Sequence, residues 1–377
     1  MKINLLANCS IGAHGYGIRV HSIIKEIIKR DYDADIYCRD YIRKIKKAKY
    51  IKPILFAKYI DLFLQAILIF VSSNKTVNRL LEKFRKRFDI SVSKKIKDGK
   101  IAHVWGDDIR SIKKAKSKGM VIFKESPMGN AAGLSKIFPK LKLNPHMSRE
   151  EKECYKLADY IFASSQVVVD SFVAEGFPRK KIIFIPFGYD REKFFPIKNK
   201  KKKDNFRIVY AGIIRERKDV KILLEAVKKI NNEKIEVVLC GIVHHGYKKI
   251  IKRYSKDINL DVRGFVPHDK LVNIYNSADI FVLPSVGDSS AKVTYEAMAC
   301  GLPVIVTYNS GPVARDGKEG FIVPAKDVNK FKEKILYLYN NPKEAKKMGE
   351  NAIKRVSDYT WDHYGKRIVD AYEKHAK

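Results

Sequence analysis

Short apolar runs alternate with helical segments along the whole chain, and this alternation limits the folds that the chain can adopt. A run of about 4–8 apolar residues followed by an amphipathic segment is typical of the strand–helix–strand unit of a parallel sheet. In the first half the predicted strands are Lys2–Ala7, Ala34–Cys38, Ile101–Trp105, Met120–Lys124, Tyr160–Ser164 and Lys181–Ile185. In the second half they are Arg207–Gly212, Ile235–Gly241, Leu260–Val266, Asp279–Pro284, Pro303–Thr307 and Gly320–Pro324. Each half therefore predicts its own doubly wound α/β domain of the Rossmann type.

The length and the turn residues place a boundary between two domains. A chain of 377 residues fits two domains of roughly 100–200 residues each. Pro186–Asp190 closes the first set of strands, and the lysine-rich run Lys198–Lys203 follows. That run is either a phosphate site or a solvated linker, and its polar composition favours the linker. We predict one domain at 1–190, a linker at 191–204 and a second domain at 205–360.

The formal net charge of +34 predicts an affinity for anions. Nucleotide-sugars, acidic glycans, anionic lipid surfaces and nucleic acid are the candidate partners, and a lysine-rich solvated surface is the alternative. A nucleic-acid-binding protein is disfavoured, because the sequence has no helix-turn-helix spacing, RNA-binding aromatic motif or zinc module.

The cysteines and the apolar segments indicate a reduced, cytoplasmic compartment. No two of the five cysteines form a Cys-x-x-Cys pair, so neither a disulfide scaffold nor a zinc site is predicted. The N-terminus has no signal-peptide pattern. The longest apolar run, Ile54–Val71, contains Lys58 and Asp61, so it predicts a buried or interfacial helix rather than a membrane span.

Basic segments flank this apolar run, at Arg43–Lys49 and at Lys83–Arg87. Apolar side chains anchor in a bilayer interface, and lysines pair with lipid phosphates. A peripheral place on the inner face of the membrane is therefore a second prediction for the location. A core helix with an ordinary basic surface is the alternative.

Three glycines follow the first predicted strand, at Gly12, Gly15 and Gly17. Glycine lets the backbone approach a phosphate closely, and the helix that follows offers N–H groups. The loop lacks the full dinucleotide-binding fingerprint. Phosphate binding by Gly12 and Gly15 and a tight strand-to-helix turn both remain open from these residues.

The most specific segment is Pro284–Val306, in which a strand, a loop and a helix succeed one another. Asp288 lies in the loop and Glu296 lies one turn into the helix. A carboxylate at the second position can accept hydrogen bonds from two vicinal ribose hydroxyls. N–H groups at the start of the helix can bind a diphosphate. The residues that would bind the nucleotide-sugar in this stretch are Ser290, Ala291, Lys292 and Val293.

This segment resembles the family-four retaining glycosyltransferases of the GT-B superfamily, the glycosyl transferases group 1. Their hallmark is two acids separated by seven residues, and these fall on Asp288 and Glu296. The first acid is Asp instead of Glu, and Ser289–Ala291 replaces the usual Gly-Phe-Gly. The resemblance implies two Rossmann-like domains that face each other across a cleft. It also implies that the C-terminal helix, at 361–377, packs back on the first domain.

The resemblance implies further roles in the second domain. Arg215-Glu216-Arg217-Lys218 is similar to the family segment that holds the diphosphate and stabilises the leaving group. Lys218 is the lysine by alignment, and Arg217 is favoured over Arg215 as the arginine. Asp219 replaces the usual glycine. The loop with Val266 resembles the one that contacts the base through its backbone.

The first domain departs from the family pattern at its active-site histidine. The corresponding stretch, Val121–Met128, contains no histidine, and Glu125 is the nearest candidate to hold the acceptor or the donor sugar. His103, at the end of the preceding strand, is interpreted as a core histidine. The predicted catalytic residues are Asp288, Lys218, Arg217 and Glu125.

No metal site is predicted. Asp31, Asp33 and Asp35 match an Asp-x-Asp pattern, but they lie between a helix and a strand, at the wrong end of the sheet for the cleft. His244 and His245 are adjacent, and neighbouring residues rarely face one ion.

The sequence therefore predicts a retaining hexosyltransferase that uses a nucleoside-diphosphate sugar, no cofactor and no metal. The acceptor would be a sugar, a glycan or a lipid-linked molecule. A sugar-nucleotide epimerase of the same fold and a basic nucleic-acid-binding protein are the alternatives.

Overall fold

The computed structural model describes residues 1–12, 15–41, 44–52, 54, 75–126, 129–141, 147–197 and 205–376. The chain divides into two compact units. Unit 1 comprises Met1–Ala163, Val169–Ile185 and Trp361–Lys377, and unit 2 comprises Ser164–Val168 and Pro186–Thr360. Apart from Ile54, the apolar run at Ile54–Val71 lies outside the described residues, as do the lysine run at Lys198–Lys203 and Arg43.

Unit 1 is built on a parallel sheet of seven strands in the order β3-β2-β1-β4-β5-β6-β7. Its strands are β1 (Lys2–Ile11), β2 (Asp33–Tyr41), β3 (Lys49–Ile51), β4 (Ile101–Val104), β5 (Val121–Ser126), β6 (Tyr160–Ala163) and β7 (Ile182–Phe184). Its helices are α1 (Tyr16–Lys29), α2 (Lys75–Lys95), α3 (Ile109–Ser117), α4 (Ala131–Ile137), α5 (Arg149–Leu157), α6 (Gln166–Ala174), which belongs to unit 1 from Val169 onwards, and, from the end of the chain, α13 (Trp361–His375).

Unit 2 repeats this plan with a six-stranded parallel sheet in the order β10-β9-β8-β11-β12-β13. Its strands are β8 (Phe206–Ala211), β9 (Ile235–Cys240), β10 (Asn259–Gly264), β11 (Ile280–Leu283), β12 (Val304–Thr307) and β13 (Gly320–Val323). Its helices are α7 (Val220–Ile230), α8 (Lys248–Tyr254), α9 (Leu271–Asn276), α10 (Lys292–Ala299), α11 (Val328–Asn340) and α12 (Pro342–Val356). The predicted fold class, two doubly wound Rossmann-like sheets, is confirmed.

Burial on both faces explains why the strands are uniformly apolar. Every residue of β4, β11 and β12 is buried, as parallel strands covered by helices on both sides require. In unit 1 the core on one side of the sheet is formed by side chains from β1, β2, β4, α2 and α3, among them Leu6, Tyr37, Phe88, Val104 and Ile112.

The strand order reverses at the centre of each sheet, between β1 and β4 in unit 1 and between β8 and β11 in unit 2. At such a point the chain leaves two neighbouring strands in opposite directions, and the loops at their carboxyl ends separate to form a crevice. The loops that follow β1, β4, β8 and β11 are therefore the places where each sheet can bind a ligand.

The last helix, α13, packs against α1 within unit 1. Arg30 at the end of α1 donates hydrogen bonds to Glu26 (2.8 Å), to Asp370 of α13 (2.6 Å) and to Glu373 of α13 (2.7 Å). The two helices approach most closely at Gly365, where a Cβ atom would lie 2.4 Å from the backbone oxygen of Ser22. This contact requires a residue without a side chain.

Gly365→Ala tests that close approach. We expect the free energy of unfolding to fall by about 1–3 kcal/mol, because the added methyl group forces the two helices apart. Urea unfolding followed by circular dichroism is the measurement. Lys374→Ala, at an exposed position of the same helix, is the matched control and should change stability by less than about 0.5 kcal/mol. Equal stability of the two variants would contradict the proposed packing.

Candidate active site

The loops after β8 and β11 meet at the point where the strand order of unit 2 reverses. The backbone N–H of Val286 donates to the carbonyl of Arg217 (3.0 Å), and the hydroxyl of Ser285 donates to the same oxygen (3.0 Å). These two bonds join segments about 70 residues apart in the sequence. They hold the Arg217 segment beside the loop that carries Asp288.

Asp288 lies between two cations. One oxygen, Oδ1, accepts from Nη1 of Arg217 at 2.8 Å, and the other, Oδ2, accepts from Nζ of Lys218 at 2.6 Å. Arg217 also donates to the carbonyl of Gly287. The side chains of Lys218 and Asp288 are largely buried, at 13% and 10% exposure, whereas that of Arg217 is 31% exposed. The cluster carries a net positive charge and is accessible mainly at Arg217.

The structure brings together three of the four predicted catalytic residues, Asp288, Lys218 and Arg217, and it places Arg217 rather than Arg215 next to Asp288. The residue after Lys218 is Asp219, where the family pattern has a glycine, and its backbone conformation shows how the aspartate is accommodated. Asp219 has φ 45° and ψ 41°, the left-handed conformation in which glycine has no steric cost. Asp tolerates this conformation better than most residues, so the turn into α7 is retained without glycine.

The loop from Asp288 to Ala291 is held by a neighbouring segment after β12. The N–H of Asp288 donates to Asn309 (2.8 Å) and the N–H of Ala291 donates to Ser310 (3.1 Å). The hydroxyls of Ser290 and Tyr295 are 2.9 Å apart. These bonds fix the loop in front of α10.

Helix α10 starts immediately after this loop, with Lys292 and Val293 in its first turn. Its N-cap residue is Ala291, which makes no side-chain capping hydrogen bond. Because the loop with Asp288 leads directly into α10, it lies at the N-terminus of the helix, which is the positive end of the backbone dipole. Ser290 and Ala291 are buried, while Lys292 and Val293 are half-buried.

Glu296, in the second turn of α10, is 4% exposed and has one partner that the sequence did not indicate. Its Oε1 atom lies 2.9 Å from Nε2 of His268. Its Oε2 atom is buried and makes no well-formed hydrogen bond within the described residues; the buried hydroxyl of Tyr275 lies close to this carboxylate, and it too makes no well-formed hydrogen bond. Burial, followed by the charge of Glu296, raises the pKa of Tyr275 well above its usual value. A buried carboxylate oxygen without a partner is costly unless a ligand hydroxyl or water binds it.

His268 follows the loop of Gly264 and Val266 by a few residues, and that proximity was the only available signal for it. Val266 is half-buried and lies beyond the carboxyl end of β10, two strands from the reversal point. The contact between His268 and Glu296 ties this outer loop to α10.

In unit 1 the glycine turn lies directly before α1. Gly12 and Gly15 have φ angles of 81° and 70°, which favour glycine, and the N–H of Gly12 donates to the carbonyl of Gly17 (3.0 Å). A Cβ atom on Gly17 would lie 2.2 Å from the backbone oxygen of Ser10. The glycines are thus required by the turn itself, which is sufficient to explain them without a phosphate.

Glu125 lies at the carboxyl end of β5 and is 2% exposed. Its Oε2 atom accepts from Arg19 at 3.1 Å, and its Oε1 atom accepts from the hydroxyl of Tyr364 at 2.7 Å. Burial alone would raise the pKa of Glu125, but Arg19, His103 and Tyr364 outweigh it and the pKa falls to about 2. Both oxygens already have partners within unit 1, so the geometry favours a positioning role over the direct sugar contact that the sequence predicted.

The neighbours of Glu125 form a buried network. His103 is fully buried, and burial lowers its pKa, so the imidazole is neutral at pH 7. Its Nδ1 atom is 2.5 Å from the hydroxyl of Tyr372 in α13. The interpretation of His103 as a core residue agrees with this burial. Arg19 and Tyr364 were not identified from the sequence, because residues so far apart in the chain meet only after α13 has docked.

The Asp-x-Asp pattern has a structural explanation. Asp35 is buried at the amino end of β2, within 3.6–3.9 Å of Lys2, Lys49 and Lys97. The described part of the chain contains no group of three His, Cys, Asp or Glu side chains that could hold a metal ion. The same part of the chain contains no helix long and apolar enough to cross a membrane.

Residues 190–355 match the family described as glycosyl transferases group 1. Among curated relatives, a probable sucrose-phosphate synthase of Thermosipho melanesiensis is 28% identical over 243 residues, which are 59% of this chain and 56% of the relative. A D-inositol 3-phosphate glycosyltransferase of Corynebacterium urealyticum is 26% identical over 247 residues, 59% of this chain and 58% of the relative. The chain thus spans little more than half the length of these relatives.

Solved structures resemble the whole chain in fold. A sucrose-phosphate synthase from Thermosynechococcus elongatus superimposes with a TM-score of 0.70 at 17% identity and covers 99% of this chain and 98% of that one. Anabaena HepE, solved in complex with UDP, also has a TM-score of 0.70, at 15% identity, over 99% and 100% of the two chains. The chain has the GT-B fold, and its residues 190–355 match the family of the group 1 glycosyltransferases.

Proposed function

We propose that this chain transfers a hexose from a nucleoside-diphosphate sugar to a sugar, glycan or lipid-linked acceptor, with retention of configuration at the anomeric carbon. The cluster of Arg217, Lys218 and Asp288 beside the N-terminus of α10 carries the proposal. Anabaena HepE, which shares the fold, has been solved with UDP and with UDP-glucose, and this supports a nucleotide-sugar donor.

Arg217 and Lys218 would hold the diphosphate. A departing nucleoside diphosphate gains negative charge in the transition state, and cations fixed in advance at that position lower the barrier. Lys218 is held by Asp288, and Arg217 by Asp288 and Gly287, so neither cation has to be reoriented during the reaction. The first-turn N–H groups of α10, at Lys292 and Val293, add to the positive potential.

Glu296 would bind the ribose. Oε2 is a buried acceptor that makes no well-formed hydrogen bond within the described residues, and Oε1 is held by His268. Two vicinal ribose hydroxyls can donate to the two oxygens of one carboxylate. The loop with Val266 leads to His268 and would place the base next to the ribose.

In the transfer step, the bond between the anomeric carbon and the diphosphate oxygen breaks, and a bond to the acceptor oxygen forms on the same face. The acceptor proton passes to an oxygen of the departing diphosphate. Asp288 is a poor candidate for a covalent nucleophile, because both of its oxygens accept hydrogen bonds from cations. Each oxygen retains a second lone pair, which can accept a hydrogen bond from a hydroxyl of the donor sugar.

The proposed reaction needs neither a metal nor a cofactor, because Arg217 and Lys218 supply the charge that a divalent cation supplies in other transferases. The family match and the similar folds give no support to an epimerase or to a nucleic-acid-binding protein. Two relatives carry names that contain a phosphorylated compound, sucrose phosphate and inositol 3-phosphate. An acceptor of comparable size, bound by unit 1, is compatible with these names.

Glu296→Ala should weaken the binding of UDP about 10- to 100-fold, because ribose hydroxyls lose a charged acceptor worth about 1.5–3 kcal/mol. Asp288→Ala should lower kcat more than it lowers UDP affinity, because in the proposed complex Asp288 would face the sugar and the diphosphate. Isothermal titration with UDP, GDP and ADP, followed by turnover assays, measures both effects.

Glu350→Ala, at an exposed position of α12, is the control for loss of one carboxylate from unit 2. Near-wild-type binding and turnover in both Glu296→Ala and Asp288→Ala would show that the site is assigned wrongly.

Lys218→Ala should lower kcat by roughly 100-fold or more at unchanged folding, because a preorganised charge at the leaving group is lost. Lys221→Ala, an exposed lysine three residues further on, is the matched control and should keep the wild-type rate. Wild-type transfer should also persist in excess chelator. If a chelator stops the reaction and magnesium or manganese restores it, the metal-independent mechanism is incorrect.

We also propose that the enzyme works at an anionic membrane surface. Helix α2 exposes a basic stretch, Lys83, Arg85, Lys86 and Arg87, in which Lys86 has Glu82 and Glu150 as partners. Exposed lysines and arginines attract anionic lipids by about 1 kcal/mol each near the surface.

Changing Lys83, Arg85, Lys86 and Arg87 together to Ser should reduce sedimentation with vesicles that contain anionic lipid, and salt should weaken wild-type binding steeply. The control variant changes four exposed lysines of α12 to Ser, at Lys343, Lys346, Lys347 and Lys354, and so removes the same charge from unit 2. Equal loss in both variants would indicate unspecific attraction, and no wild-type sedimentation at low salt would indicate a soluble acceptor.

A further inference from the structure

Tyr16 occupies a prominent place at the carboxyl edge of the unit 1 sheet. It is the first residue of α1, it follows the glycine turn after β1, and 40% of its surface is exposed. The guanidinium of Arg19 lies over its ring, 4.6 Å from the ring centroid. An exposed aromatic ring in the loop after β1 lies at the point where the strand order of unit 1 reverses.

The ring is held in place by a buried chain of contacts. Arg19 is 4% exposed and donates to Glu125 at 3.1 Å, and Glu125 in turn accepts from Tyr364 of α13 at 2.7 Å. Breaking a buried pair leaves an uncompensated charge, so Arg19 has little freedom to move. Tyr16 therefore rests on a rigid support, which reduces the entropy lost when a ligand stacks on it.

Helix α2 brings a cation to the same edge. Asp89 accepts hydrogen bonds from the N–H groups of Arg110 (2.9 Å) and Ser111 (2.8 Å) at the start of α3, so α2 is level with the carboxyl edge of the sheet at this residue. Arg85 lies one turn earlier, about 5–6 Å further beyond that edge and on the same side of the helix. It is exposed and has no ion-pair partner among the described residues.

The charges around Tyr16 are mainly positive. Burial raises the pKa of Tyr16, and Arg19, Lys124 and Arg85 counteract this, so all three cations act on its hydroxyl. Arg19 is compensated by Glu125, and Lys124 has Asp107 at 3.8 Å, whereas Arg85 forms no ion pair with a described residue. The cation near Tyr16 that has no ion-pair partner in the described part of the chain is therefore Arg85, which is exposed to solvent.

We propose that Tyr16 and Arg85 form an acceptor subsite for a sugar or polyol that carries a phosphate or a carboxylate. The C–H face of the sugar ring would stack on the electron-rich face of Tyr16 that Arg19 leaves uncovered. The anionic group would be bound by the guanidinium of Arg85, whose planar fork fits a phosphate or carboxylate through two hydrogen bonds. This subsite rests on the proposed transfer reaction, for which unit 1 binds the acceptor.

The test measures binding without a nucleotide-sugar, so that it does not depend on turnover. Glucose, glucose 6-phosphate, glucuronic acid and myo-inositol 1-phosphate are titrated by saturation-transfer NMR. Vesicles with and without phosphatidylinositol distinguish a lipid-linked anion from a free one. We expect at least one anionic probe to bind about tenfold or more tightly than glucose.

The variants test the contributions of the Tyr16 ring and of the Arg85 charge to binding separately. Tyr16→Ala should lower the affinity for the anionic probe about tenfold or more, while Tyr16→Phe should keep it, because the ring remains. Arg85→Gln should remove the preference for the anion. Lys94→Gln, about 13 Å further along α2, removes the same charge and should leave binding unchanged.

Unchanged affinity in Tyr16→Ala and Arg85→Gln, a preference for neutral glucose, or no binding of any probe up to about 10 mM would overturn the subsite. UDP titration of the same preparations keeps this result distinct from the proposed function. UDP binding that depends on Glu296, combined with failure of the sugar phosphates, rejects the subsite alone. Sugar phosphate binding that depends on Tyr16, without UDP binding or transfer, rejects the proposed transfer and leaves the subsite intact.

Discussion

The reversal of strand order at the centre of each parallel sheet is the constraint on which both candidate sites depend. In unit 2 it places the loop with Arg217 and Lys218 next to the loop with Asp288, although about 70 residues separate them. In unit 1 the same reversal places Tyr16 and its glycine turn beside the loop after β4. The sites thus follow from the topology, and the side chains decide which chemistry each one can perform.

The two units differ in how far their buried charges are neutralised. In unit 1 Arg19 and Glu125 are both almost completely buried and pair with each other, which satisfies the charges but leaves neither available to a substrate. In unit 2 Asp288 is shared by two cations, so the cluster retains one positive charge close to the surface. A buried ion pair holds the neighbouring side chains in place, whereas a net positive charge at the edge of the sheet can stabilise a departing diphosphate.

The strands were predictable because apolar runs that are buried on both faces leave a clear pattern, and the twelve predicted strands all occur. The three-residue edge strand Lys49–Ile51 was missed, because it is short and carries only two apolar residues. The candidate site was predicted as a set of residues from the motif around Asp288. The contacts of His268 and of the Arg19–Glu125–Tyr364 network could not be derived, since spacing along the chain does not encode which side chains meet after folding.

The loop from Asp288 to Ala291 shows how a departure from the family pattern can be compensated. Its residues Ser289–Ala291 stand at the place of the Gly-Phe-Gly in the family pattern that the sequence resembles. The glycine required here is on the opposite segment: a Cβ atom on Gly311 would lie 2.1 Å from the backbone oxygen of Ser289. Gly311 has φ 64°, and the adjacent Asn309 and Ser310 accept the N–H groups of Asp288 and Ala291. The space is thus provided by the partner segment, so the loop can carry side chains such as Ser290 and still keep Asp288 against its two cations.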